Sequence, residues 1–334
     1  MLNNNKLIKS CLSASLKLAC TAVLAITTAQ ANDSTGYVGT GGVAYLKNKN
    51  ISMHSEDLYI SKNNIRVNYE FKNLSNKDIT ETVLFPMPAA PSRLESDFAD
   101  TTKLVDSFKI VSNGKPITAK TNVRTFMHPL VIEAGQRTYA DNSITIDTTE
   151  IFKACGVKDS EMMIPWTNQG NTASVDQKLQ NCTDKRLNKF INTNEEDSYL
   201  YWQSQIVYSW QQTFKANATT KINHSYQPLV GGSVHLGEEE FATFCLDGAT
   251  EQALSKTGAR PYHALSYILT TGANWAKPIA NFKLTVERDP NELVSFCWKG
   301  KGKVKKVNAM TFEIKETNFV PKHDFEVAFI MKKW

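Results

Sequence analysis

Two adjacent carboxylates, Glu56 and Asp57, form the acidic pair with the most chemical promise. Such a pair can bind a cation, or act as acid and base on a glycosidic bond. Neighbouring residues of a strand point to opposite faces, so the two can share a site only in a turn. A polar strand start or turn is the plainer reading. Lys299, Lys301, Lys303 and Lys305 alternate, with Lys306 beside them. In an extended chain the first four line one face and could hold the phosphates of lipopolysaccharide or another anion. Lysines on an exposed strand also block edge-to-edge aggregation, which is the competing explanation. Trp275 follows Thr270-Thr-Gly-Ala-Asn274, which reads as a loop, and is therefore the tryptophan expected at the surface, where it could contact sugar or protein. Tyr208 and Trp210 share one face of a strand pattern and read as core.

Catalytic signatures are missing from the sequence. It has no G-x-S-x-G and no H-E-x-x-H, and its six histidines are scattered. Val38-Gly-Thr-Gly-Gly-Val43 lacks the dinucleotide fingerprint and reads as a strand end or bulge. No cofactor, metal site or catalytic residue is expected.

The chain opens with Lys6, Lys9 and Lys17, then an apolar run from Leu18 to Ile26, then Ala29-Gln30-Ala31. That order describes a secretory signal peptide over residues 1–31, cleaved after Ala31. The apolar run is shorter than the roughly 20 residues that a permanent span needs. Cys20 does not fit a lipidation site, because Lys17 precedes it and apolar sequence continues after it. The expected location is the periplasm or the exterior, with no transmembrane anchor in the mature chain. The full chain carries a formal +5, and losing the leader's three lysines leaves +2. A balance so near neutrality argues against nucleic acid as partner. Four cysteines remain after the leader, namely Cys155, Cys182, Cys245 and Cys297. In an oxidising compartment an even number implies disulfides, with three connectivities open. Proximity along the chain favours Cys155–Cys182 and Cys245–Cys297. No pair has the close C-x-x-C spacing usual for zinc.

The elements that would position these residues are mostly strands. Ile65, Val67, Tyr69 and Phe71 alternate with polar residues, which marks a half-buried strand. Asn73 to Asp78 is a polar turn, and a returning strand runs to Pro86 and Pro88. Asn113-Gly114 between two β-prone runs predicts a hairpin. Residues 149–198 change to a weakly helical, polar pattern. From residue 199 the strand pattern resumes, with Ile206, Tyr208 and Trp210, then Ile222, His224 and Tyr226. The reading is mainly β: two β-sandwich-like domains, 32–148 and 199–334, joined by a short, partly helical connector over 149–198 that a disulfide ties down.

Several of these segments occur in a recognisable order. They are Ser55-Glu-Asp-Leu58, Ile65 to Asn73, Phe85-Pro-Met-Pro88, Trp210-Gln-Gln-Thr-Phe214, His224-Ser-Tyr-Gln-Pro228, Asn274-Trp275 and Pro278-Ile279. Together they resemble the exported bacterial family called domain of unknown function, numbered 4424, over nearly the whole mature chain. Phe214-Lys-Ala216 departs from the family's usual Phe-Pro-Ala. The family has no established activity, so the resemblance implies no catalytic residues. The N-terminal half is also similar to the domain shared by vault and inter-alpha-trypsin inhibitor proteins, a β-sandwich used for association. The expected function is a non-catalytic, envelope-associated interaction or binding module whose partner is an envelope protein or polymer. The alternatives are a secreted hydrolase acting on a glycan and a binder of anions or lipopolysaccharide.

Overall fold

The computed structural model describes residues 32–39, 42–93, 104–133, 136–140, 144–167, 172–191, 200–248, 251–252 and 261–332. The leader and the cleavage after Ala31 expected from the sequence lie outside the described residues. Strands dominate. The alternation read in the sequence is realised in Asn64–Asn73, where Ile65, Val67, Tyr69, Phe71 and Asn73 turn inward and the residues between them outward. The Asn113-Gly114 hairpin joins Lys109–Ser112 to Lys115–Ile117, with φ of 49° and 77°. Two successive positive φ values suit asparagine and glycine, and they match the right-handed twist of the flanking strands.

The largest sheet has eight strands. At its centre Ile51–Ser61 pairs antiparallel with Asn64–Asn73 on one side and parallel with Ile279–Glu287 on the other. Thr219–Tyr226 continues the sheet beyond Asn64–Asn73. A seven-stranded sheet faces it, built around the long strand Trp202–Phe214, which pairs with Ile79–Pro86 and Lys120–Met127. A four-stranded sheet containing Tyr262–Tyr267 and Phe325–Met331 contributes to the same core. That core draws on Leu58, Tyr69, Phe71, Val83, Phe85, Ile206, Tyr208, Trp210, Ile222, Phe282 and Val327. Strands from before residue 149 and after residue 198 are thus hydrogen-bonded within the same sheets. The boundaries at 148 and 199 separate stretches of chain, and the sheets cross them.

Between residues 149 and 191 the described residues include short helices, among them Thr149–Ala154 and Ala173–Gln180. They bury Phe152, Met162, Val175, Leu179, Leu187 and Phe190 against Val123, Met127 and Trp202 of the seven-stranded sheet. The Cys155–Cys182 disulfide ties this segment, and Cys245–Cys297 ties the short helix Glu238–Thr243 region to the end of Glu292–Phe296. Both pairings agree with the sequence reading. No helix among the described residues is long and apolar enough to cross a membrane.

One irregularity aims the candidate site. The pairing of Ile51–Ser61 with Asn64–Asn73 shifts register between Met53 and Ser55. The extra residue of a β-bulge reverses the in-out alternation beyond it. Ile51 and Met53 point inward before the bulge, and Glu56, Leu58 and Ile60 point inward after it. Without the bulge, Glu56 would face solvent.

Candidate functional site: a buried polar cluster and an open basic cleft

Glu56 enters the core opposite Tyr69, its register partner. It is almost wholly buried, and both carboxylate oxygens lie 3.2 Å from Asn32 Nδ2. The Tyr69 hydroxyl donates to Asn32 Oδ1 and lies 3.1 Å from the Tyr267 hydroxyl. Beside this group Asp33 Oδ1 lies 3.0 Å from His224 Nε2, and both side chains have no exposed surface. His224 reaches inward because Ile222, His224 and Tyr226 share a face of Thr219–Tyr226. Its ring stacks on Phe85 at 4.8 Å and meets Trp210 edge-on at 5.4 Å.

Burial dominates the electrostatics. It pushes Glu56 up to about 8, although the Asn32 hydrogen bond opposes the shift; the nearby Asp33 charge adds to it. Burial also raises Asp33, opposed by the charge and hydrogen bond of His224. Tyr69 and Tyr267 are held well above the ordinary tyrosine value by burial and by neighbouring acids and hydroxyls. Strongly shifted groups often mark catalysis. A catalytic group must reach its substrate, however, and every member of this cluster is sealed from solvent. Structural ion-pair networks shift groups in the same way, and this cluster fits that description. Among the described residues no group of three or more His, Cys, Asp or Glu side chains could hold a metal ion.

The structure separates the acidic pair singled out in the sequence. Glu56 faces the core, whereas Asp57 faces outward, its Oδ2 3.2 Å from Lys283 Nζ. The two carboxylates cannot act together on one substrate. Trp275 corrects the expectation of a surface tryptophan. It is 1% exposed, packs against Phe71 at a 4.5 Å centroid distance, and donates from Nε1 to the Asp33 carbonyl oxygen at 2.7 Å. Thr270–Asn274 is a short 3-10 turn, as its loop composition suggested, but the turn folds over Asn32–Ser34, where Thr271 Oγ1 donates to the Asn32 carbonyl oxygen.

Lys299, Lys301, Lys303 and Lys305 are all exposed. They do not form one extended row: residues 299–304 are irregular, and only Lys305–Lys306 is strand, at the edge of the eight-stranded sheet. Lys299 and Lys301 instead join Lys322 and His323 around an open cleft of about 590 Å³. Trp298, Phe319 and Phe325 line its floor. Its two carboxylates are engaged. Glu316 Oε1 accepts from Trp298 Nε1 and from the Gly302 N–H, and Asp324 Oδ1 accepts from Thr270 and from the Leu269 N–H. Lys299, Lys301 and Lys322 form no ion pair among the described residues. A second open cleft of about 530 Å³, mostly apolar, is bounded by Pro88, Pro91, Tyr201, Leu229, Phe244 and Leu265.

Sequence reasoning missed Asn32, Asp33, Tyr267 and Lys322 and gave no site role to His224. For His224 a signal was present, since it occupies an inward position between Ile222 and Tyr226. Asp33 and Tyr267 depend on contacts more than 190 residues apart along the chain, Asn32 on Glu56 and Tyr69 at separations of 24 and 37, and Lys322 on the fold that brings it to the cleft of Lys299 and Lys301.

A model of the family described as domain of unknown function DUF4424 matches residues 31–328. Among curated proteins none matches. Among solved structures, a candidate nutrient-binding protein from Legionella pneumophila is similar at 16% identity and a TM-score of 0.42, over 90% of this chain and 70% of that one.

Proposed function

The chain belongs to the DUF4424 family, and from its open basic cleft we propose that it is a non-catalytic binding module of an exported protein, one that holds an anionic group of an envelope polymer. The observation that carries this reading is the convergence of Lys299, Lys301 and Lys322, without ion-pair partners among the described residues, on a cleft floored by Trp298 and Phe319. Cations above an aromatic floor suit a phosphate or carboxylate carried on a sugar. The sealing of the strongly shifted acids supports a binding role over a hydrolytic one. Two disulfides suit an oxidising compartment.

The test is calorimetric titration with purified lipopolysaccharide and with its dephosphorylated form. Binding is expected to the first form, and to weaken as salt screens the lysines. The triple change Lys299→Gln, Lys301→Gln, Lys322→Gln should weaken it by about tenfold or more, since a lysine near an anionic surface contributes on the order of 1 kcal/mol. Equal affinity for both forms, or no effect of the triple change, would remove the cleft from the proposal.

A further inference from the structure

The buried cluster has a charge imbalance, and the start of the described chain lies inside it. Asn32, Asp33 and Ser34 have no exposed surface. Each is clasped by distant residues: Thr271 Oγ1 donates to the Asn32 carbonyl, Trp275 Nε1 to the Asp33 carbonyl, and Asn274 Nδ2 to Ser34 Oγ. Side chains facing this segment come from four strands and the 3-10 turn. The titratable ones are Asp33, Glu56, Tyr69, His224 and Tyr267. Two are carboxylates, and only His224 can carry a positive charge. Asp33 Oδ2 and His224 Nδ1 are buried without a hydrogen-bond partner. Among the described residues Glu56 has one hydrogen-bond partner, the Asn32 amide, and no cation beside it. A buried carboxylate without a cation is costly and takes up a proton instead.

We infer that signal-peptide cleavage after Ala31 supplies the missing cation, and that the new α-ammonium group of Asn32 docks in the core as the ion-pair partner of Glu56. The inference rests on the cleavage site read from the sequence and is independent of the basic cleft. Covalent geometry keeps a residue's main-chain nitrogen within about 5 Å of its own side-chain amide nitrogen, and that amide already lies 3.2 Å from both Glu56 oxygens. A chain that keeps residue 31 has a neutral peptide nitrogen at this place. Maturation therefore couples to stability: the processed chain closes the two sheets over a charge-balanced cluster, and the unprocessed chain closes them over an unbalanced one.

The test compares the oxidised mature chain beginning at Asn32 with a chain that keeps Ala31, each with and without Glu56→Gln. Both are released from a removable N-terminal fusion. An amine-reactive ester, with N-terminal peptide analysis, reads the exposure of the α-amine. In the chain beginning at Asn32 the α-amine should resist labelling until denaturant unfolds the protein, and the midpoint of thermal unfolding should lie above that of the chain keeping Ala31. Glu56→Gln should lower that midpoint in the chain beginning at Asn32, and leave it unchanged or raise it in the other. N-terminal analysis of protein recovered from the exporting cell should give Asn32. An α-amine that labels equally fast in folded and unfolded protein would overturn the inference. So would an equal effect of Glu56→Gln in both chains, or a natural start at another residue.

Discussion

Trp275 offers the sharpest test of the clasp over Asn32–Ser34. Its ring is 1% exposed, with centroids 4.5 Å from Phe71 and 6.3 Å from Phe214, and its Nε1 reaches the Asp33 carbonyl at 2.7 Å. Trp275→Ala removes the ring contacts, a loss of about 3–5 kcal/mol for a large buried aromatic. It also leaves the Asp33 carbonyl buried without its donor, which adds about 1–3 kcal/mol. A combined loss of about 4–8 kcal/mol is a large part of the 5–15 kcal/mol that holds a typical domain together. Trp275→Phe keeps most of the ring and loses the hydrogen bond, so about 1–3 kcal/mol is expected. Equilibrium urea unfolding followed by far-ultraviolet circular dichroism measures both. Limited proteolysis should find residues 34–46 more susceptible in Trp275→Phe, because the bond that holds Asp33 is gone. A Trp275→Ala protein within about 1 kcal/mol of the unchanged chain would refute the reasoning and restore a surface role for the residue.

Other outcomes follow from the same geometry. Replacing Cys155 and Cys182 by alanine should cost about 3–4 kcal/mol on chain-entropy grounds for a sequence separation of 27. The loss should appear first in residues 149–190, read by hydrogen exchange, because that segment has its own apolar cluster. The Cys245–Cys297 pair closes a longer separation of 52 and should cost slightly more, about 4 kcal/mol, in the same unfolding assay. In a chain that keeps Ala31, Glu56 titrates at about 8 in the folded protein against an ordinary 4.5. Between those values the folded form holds a proton that the unfolded form lacks, so stability is fully present below pH 4.5 and is lost as pH rises towards 8. The slope is up to about 1.4 kcal/mol per pH unit. Urea titrations across that range should show it. Glu56→Gln should remove it, and the chain beginning at Asn32 should show a shallower slope.

What could be read from the sequence was local. Period-two alternation placed Ile65, Val67, Tyr69 and Phe71 on an inward face, and two consecutive residues tolerant of positive φ marked the turn at Asn113-Gly114. Both follow from the pleat and from backbone sterics, which a few neighbouring residues decide. The pairing of four cysteines came from their spacing, and the family resemblance from short segments in order. The site was not legible in the same way. Whether Glu56 faces the core depends on a bulge beside His54, which alternation alone does not locate. Trp275 lies in a turn whose composition looks solvated, and it is buried because Asp33 and Phe71 come to it from more than 200 residues away. The two halves of the chain read as separate units because each has its own strand pattern. Only long-range pairing, Ile51–Ser61 with Ile279–Glu287 and Asn64–Asn73 with Thr219–Tyr226, joins them into common sheets. A side chain's periodicity is set by its neighbours in sequence, whereas its partner across a sheet is set by what buries the most apolar surface and pairs the most backbone. For that reason the strands were written in the sequence, and the buried cluster and the basic cleft were decided by the tertiary structure.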